Sequence, residues 1–154
     1  MTGVQTCALP ICSAEALALA ERSAAANGLR CHFVKAEVFG ELERLGRAGE
    51  TYGVVVADPP AFVKSRKDLP TGSAAYKKLA RLAAALVAPG GFLFLASCSH
   101  NMAEDAFAEQ AARGLERAGR TGRVLRKAGA APDHPVHPQL PESAYLKALV
   151  FQLD

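Results

Sequence analysis

Two short strings in this chain hold the residue types from which chemistry is made. Asp58-Pro59-Pro60-Ala61-Phe62 follows the apolar run Val54-Val55-Val56-Ala57, and Ser97-Cys98-Ser99-His100 follows Gly91-Phe92-Leu93-Phe94-Leu95-Ala96. Each sets polar groups where a buried strand passes into a loop, and open parallel α/β sheets bind ligands beyond the carboxyl ends of their strands. An acid and a thiol at the ends of successive strands therefore point to one shared site. A cysteine activated there by a base or a positive charge is a nucleophile. The two prolines fix the backbone and remove two amide donors, so the strand cannot run past Asp58. Their carbonyls are left to meet an amino group, and the Phe62 ring is suited to lie against a flat one. The combination fits a planar heteroaromatic substrate beside a cofactor.

Each feature also has a plainer reading. A lone Asp-Pro-Pro is a strand terminator, and free cysteines are usually small buried hydrophobes, a description that suits Cys31. Cys98 differs in its flanking Ser97, Ser99 and His100. His100 stands two residues away and need not face the thiol. The basic stretch Lys64-Ser65-Arg66-Lys67, followed by Lys77, Lys78 and Arg81, is on its own a solvated face; beside a site it could hold phosphates. Arg113, Arg117 and Arg120 are expected to face solvent. Asp133, His134 and His137 stand among prolines without a further ligand, which predicts an ordered loop against the sheet edge and no metal site. The sequence has neither GxGxxG nor a P-loop lysine.

The elements that must position these residues follow from composition and period. The chain has 154 residues, half of them apolar, a net charge of +3, and no apolar run long enough for a membrane span, so one globular domain is expected. Its four cysteines form no CxxC pair, which reads as free thiols in a reducing cytoplasm. Ser13 caps a helix that Asn27-Gly28 ends. A short strand over 31–35 and a helix over 38–47 follow, the latter with Phe39, Leu42 and Leu45 on one face. The β-branched run 52–57 predicts a strand buried on both faces. Residues 61–72 read as a basic loop and 73–87 as a helix with Leu79, Leu82, Leu86 and Val87 in its stripe. Pro89-Gly90-Gly91 stops that helix before a second buried strand over 92–96. A helix over 104–118 and strands over 124–127 and 145–153 complete the chain. The alternation predicts an α/β fold with a mostly parallel sheet, its last strand inserted antiparallel.

At the level of whole strings, DPPAFVKSRKDL at 58–69, SCSH at 97–100 and DHPVHPQLPESAYLKAL at 133–149 closely resemble the ribosomal RNA large subunit methyltransferase I family. The resemblance implies a class I (Rossmann-like) fold, S-adenosylmethionine as cofactor, and 5-methylcytosine made in 23S ribosomal RNA. It implies Cys98 as the nucleophile that adds to carbon 6 of cytosine. It implies Asp58 as the acid beside the base and, with Pro59, in the methyl-donor pocket. Pro60 and Phe62 are then expected at the base, and Lys64, Arg66 and Lys67 at the RNA backbone.

Departures from the family pattern are equally specific. The family places an RNA-binding PUA domain before the methyltransferase domain, and the chain has no counterpart of it. The first strand with its glycine-rich loop is also missing. The acid expected to bind the ribose falls near position 11, where Ile11 stands, and the next expected acid is Glu37, placed to touch adenine. Met1 to Ile11 resembles a translated sequencing-adapter string. Residues 1–12 are therefore read as a non-native leader and 13–154 as the C-terminal part of a catalytic domain, truncated at its N-terminus. In the family's strand order, 3-2-1-4-5-7-6, the strand over 31–35 would be left without neighbours, and the chain alone is expected to be inactive. Two other functions compete: a guanine-N2 methyltransferase with a similar Asp-Pro-Pro loop, which needs no cysteine, and a noncatalytic RNA-binding remnant built on Lys64 to Lys67.

Overall fold

The computed structural model describes Cys7–Ile11 and residues 13–154. In chain order the elements are β1 (Cys7–Ile11), α1 (Ala14–Ala26), β2 (Cys31–Lys35), α2 (Val38–Arg47), β3 (Tyr52–Ala57), α3 (Leu69–Ala85), β4 (Val87–Ser97), α4 (Glu104–Arg117), β5 (Gly122–Ala128) and β6 (Lys147–Leu153). They fall into two compact units, Met1–Leu45 and Gly46–Asp154.

In the smaller unit the Ser13 hydroxyl caps α1 by accepting the amide of Ala16 (3.3 Å). β1 and β2 pair in parallel, from Cys7 opposite Cys31 to Ile11 opposite Lys35. This corrects the expectation that the strand over 31–35 stands alone. A parallel pair needs a crossover between its strands, and α1 supplies it. Leu42 and Leu45 of α2 are buried as their spacing predicts, and Glu41 is buried with them. Hydrogen bonds from Arg44 (2.8 and 2.7 Å) hold the Glu41 carboxyl below the usual carboxylate range.

The larger unit is a four-stranded sheet in the order β3-β4-β6-β5. β3 and β4 run parallel and β6 lies antiparallel to both its neighbours, as the sequence and the family's 4-5-7-6 order lead one to expect. α3 packs on β3 and β4, and α4 packs on α3. Gly114 allows that close approach, since a Cβ there would stand 2.8 Å from the Lys77 carbonyl. The core holds Leu93 and Leu95 of β4, Leu149, Phe151 and Leu153 of β6, and Leu79, Leu82, Leu86 and Val87.

The core-bearing face of this sheet is covered, and the other face is open at β3. Val55 is buried, but Val54 and Val56 are 62% and 65% exposed, and Phe92, paired with Val54, is 39% exposed. The strand over 52–57 is therefore not buried on both faces. A β-branched run specifies a strand; what covers each face is a tertiary matter.

Boundaries differ elsewhere for local reasons. α3 begins at Leu69 and not at Ser73, because Pro70 sits in its first turn, where an amide donor is not needed. β4 already starts at Val87, which pairs with Tyr52 before Pro89-Gly90-Gly91 shifts the register. β6 starts at Lys147, two residues later than expected. Arg120 does not face solvent. Its Nη1 donates to the carbonyls of Ala84 (3.1 Å) and Val87 and its Nε to that of Asp154 (3.1 Å), the first being a carbonyl that the end of α3 leaves open. Arg113 and Arg117 are exposed, the former paired with Glu109 at 2.6 Å.

Candidate active site

The thiol segment is built by alternation. Strand side chains turn to opposite sides with a period of two, so Ser97 and Ser99 share one side and Cys98 takes the other. Both serines are fully buried, and Cys98 is half-buried. The serine hydroxyls turn to Tyr76 of α3, itself fully buried. Ser97 Oγ donates to Tyr76 Oη at 2.8 Å, and Tyr76 Oη and Ser99 Oγ share a hydrogen bond of 2.8 Å. The Ser99 amide donates to Ser97 Oγ (3.2 Å), and the Val63 amide donates to Ser99 Oγ (3.0 Å). A buried hydroxyl without a partner costs about 1–3 kcal/mol; here each has one. Tyr76 is wedged further by the rings of Phe62 (4.8 Å between centroids) and Phe107 (5.3 Å, edge-on).

The same network draws in the loop that begins with the acid. Val63 ties the end of that loop to Ser99, and Asn101 Nδ2 donates to the Lys64 carbonyl at 3.0 Å. Cys98 Sγ lies 3.9 Å from the Pro59 carbonyl, as a weak donor to it. Gly72 makes the packing possible: a Cβ there would run into the Val63 side chain and stand 2.8 Å from the Phe62 carbonyl. The structure thus brings together the two strings that the sequence places at strand ends.

Other expected site residues are positioned as follows. Asp58 is exposed at the carboxyl end of β3, Pro59 is half-buried and Pro60 exposed. Phe62 packs its ring on Tyr76, so part of it serves the core. Lys64, Arg66 and Lys67 are exposed on a short turn that Asp68 stabilises by accepting from the Ser65 amide (3.0 Å) and hydroxyl (2.7 Å). Glu37 belongs to the smaller unit. Its Oε1 accepts from the Phe39 amide (3.0 Å) and its Oε2 from the Gly40 amide (2.8 Å), so the carboxylate caps α2. His100 is exposed. The Asp133–His137 loop is exposed too, with His134 bonded to the Tyr145 hydroxyl (3.0 Å), and no group of three metal-ligating side chains occurs among the described residues.

Sequence reasoning missed Tyr76, Asn101 and Lys147. Lys147 opens β6 opposite Ser97, and its Nζ donates to the carbonyls of Ser99 (2.9 Å) and Tyr145 (2.8 Å). Burial pushes its ammonium below the usual lysine range, while the charges of Cys98 and Glu104 pull it back up. A lysine heading the alternating strand Lys-Ala-Leu-Val-Phe-Gln-Leu was the signal that could have found it.

No protein-family model matches the chain. It is 38% identical over 141 residues to ribosomal RNA large subunit methyltransferase I of Aeromonas salmonicida, which aligns 90% of this chain with 36% of that protein. The Cronobacter sakazakii protein of the same name is 37% identical over 138 residues, 88% of this chain and 35% of its own. The chain is homologous to this methyltransferase family. It spans about 36% of the length of the curated relatives it matches. A SAM-dependent methyltransferase from Streptococcus mutans superposes with a TM-score of 0.78 at 25% identity over 99% of this chain and 39% of its own. SMU.776, solved in complex with SAH, gives the same TM-score at 24% identity, over 99% of this chain and 40% of its own. The methyltransferase fold places the acid and the thiol beyond the carboxyl ends of β3 and β4, where open α/β sheets hold ligands. The residues expected to hold S-adenosylmethionine differ in what each offers. Asp58 offers an exposed acceptor next to Pro59, whereas both oxygens of Glu37 already accept backbone amides.

Proposed function

We propose that residues 13–154 are part of the catalytic domain of a cytoplasmic, S-adenosylmethionine-dependent methyltransferase that makes 5-methylcytosine in 23S ribosomal RNA through a cysteine adduct. One observation carries this reading: Cys98 is turned away from two buried serines and sits 3.9 Å from the Pro59 carbonyl of the acid-bearing loop. Carbon 5 of cytosine is a poor nucleophile, and covalent catalysis splits its alkylation into easier steps. The Cys98 thiolate attacks carbon 6, forming the S–C6 bond and moving the ring's π pair onto carbon 5. S-adenosylmethionine, when bound, supplies the electrophilic methyl group for that carbon. Loss of the carbon-5 proton to a base and cleavage of the S–C6 bond then restore the ring and the thiolate.

Asp58 hydrogen-bonds the ring as charge builds there and, with Pro59, lines the methyl-donor pocket. Glu37 is the adenine-side candidate. Pro60 and the Phe62 ring contact the base, which must be unstacked to reach Cys98. Lys64, Arg66 and Lys67 meet phosphates. The chain alone is expected to show no micromolar binding of S-adenosylmethionine by calorimetry and no turnover.

The test grafts this chain in place of the matching segment of the Aeromonas salmonicida protein and measures 5-methylcytosine in 23S ribosomal RNA by mass spectrometry. Methylation that falls at least a hundredfold in the Cys98→Ala graft is the expected result. Near-normal turnover in that variant would favour methylation of an exocyclic amine, as on guanine. RNA binding without any methylation by the graft would favour a noncatalytic role.

A further inference from the structure

We infer that the loop over residues 129–146 is a third wall of the site, and that its paired rings, His134 and Tyr145, take by stacking an unpaired RNA base next to the one presented to Cys98. This rests on the reading of ribosomal RNA as substrate. Topology places the loop. β6 runs antiparallel to β4, with Lys147 opposite Ser97, and antiparallel to β5, with Ala148 opposite Ala128. The chain between β5 and β6 therefore emerges at the carboxyl end of β4, the end that leads into Cys98. It is also tied there, since Lys147 Nζ holds the carbonyls of Tyr145 (2.8 Å) and Ser99 (2.9 Å) at once. Ser99 is thus bonded to two loops, to the acid-bearing one through the Val63 amide (3.0 Å) and to this one through Lys147.

The loop is braced from inside and keeps its rings at the surface. Ser143 Oγ accepts from the His137 amide (2.9 Å) and donates to the Leu140 carbonyl (2.7 Å). His134 is exposed and Tyr145 half-buried. They meet edge-on, with 5.6 Å between centroids, and His134 Nε2 stands 3.0 Å from Tyr145 Oη. In an edge-on pair one ring keeps both faces clear of the other. Drawing a base out of its stack leaves the neighbouring base unstacked on one side, and unstacked RNA bases are taken up on Tyr and His rings. The basic turn over 64–67 supplies charge for phosphates, and the ring pair supplies a surface for a base.

Fluorescence anisotropy of a short end-labelled single-stranded RNA of mixed sequence, titrated with the full chain, tests this without turnover. Tyr145→Ala is expected to weaken binding about tenfold, and Tyr145→Phe, which keeps the ring, to stay within about threefold of the parent. The slope of log affinity against log salt should not move in Tyr145→Ala, whereas Lys64→Gln should lower it by about one. The chain has no tryptophan, so the indole emission of Tyr145→Trp is a direct probe. RNA should quench it, and inorganic polyphosphate, which has phosphates but no bases, should not. Unchanged affinity in Tyr145→Ala, or an equal loss in Tyr145→Phe as for a mere loop brace, would overturn the proposal. So would indole emission that RNA leaves unquenched, and this decides the matter should Tyr145→Ala fail to fold by circular dichroism. A parent that binds no RNA overturns it as well. Failure of the underlying reading shows elsewhere, as 23S ribosomal RNA left unmethylated by the grafted enzyme.

Discussion

The acid end and the thiol end of this site are held by opposite means. Asp58 stands exposed, and the chain beyond it is stiffened covalently by Pro59 and Pro60. Cys98 is fixed by its neighbours, whose hydroxyls are locked to Tyr76 in a fully buried network. A proline-stiffened loop acts largely through the unfolded chain, by removing conformations that folding would otherwise have to exclude. A buried polar network acts through the folded state and fails as a unit when one member is lost. The acid is therefore open to substitution at little structural cost, and the thiol's surroundings are not.

Four substitutions grade that contrast, all read as urea unfolding midpoints of the full chain. Tyr76→Ala should be the most damaging, at about 3–5 kcal/mol, for it opens a cavity between Phe62 and Phe107 and takes a hydroxyl partner from both serines. Ser99→Ala should cost about 1–3 kcal/mol by leaving the Val63 amide unpaired. Pro60→Ala should cost only about 0.4–1 kcal/mol, through unfolded-state entropy. Asp58→Asn should stay within about 0.5 kcal/mol of the parent, yet in the grafted enzyme reduce methylation about a hundredfold. If Asp58→Asn destabilised as much as Ser99→Ala, the contrast between the two ends would be lost.

Local signals in the sequence were enough for the Ser13 cap, the Leu79 and Leu82 part of the α3 stripe (Leu86 and Val87 lie beyond the helix) and the antiparallel last strand, because each depends on neighbours a few residues away. The two strand-end strings were legible for the same reason. The start of α3 was obscured by the polar residues before Ser73, although Pro70 is a first-turn residue. Tyr76 and Lys147 were hidden by distance along the chain: their partners lie 21 and 48 residues away. Tyr76 also fits an apolar helix stripe, and nothing local distinguishes a packing ring from one whose hydroxyl organises a site. Exposure of Val54 and Val56 could not be read from a β-branched run, which reports strand preference without naming what packs on it.

β3 has a bearing on how the chain behaves in a tube. It is an end strand of its sheet, carries no charged residue from Tyr52 to Ala57, and shows two valines beside the exposed Phe92. Natural end strands are commonly guarded by lysines, prolines or bulges; β3 has a register shift between Tyr52 and Val54 but no lysine or proline within it, which leaves Val54 to Ala57 able to pair with another copy. Self-association that rises with concentration is the expected behaviour, and it would set the upper limit on usable sample before the active-site residues had any influence.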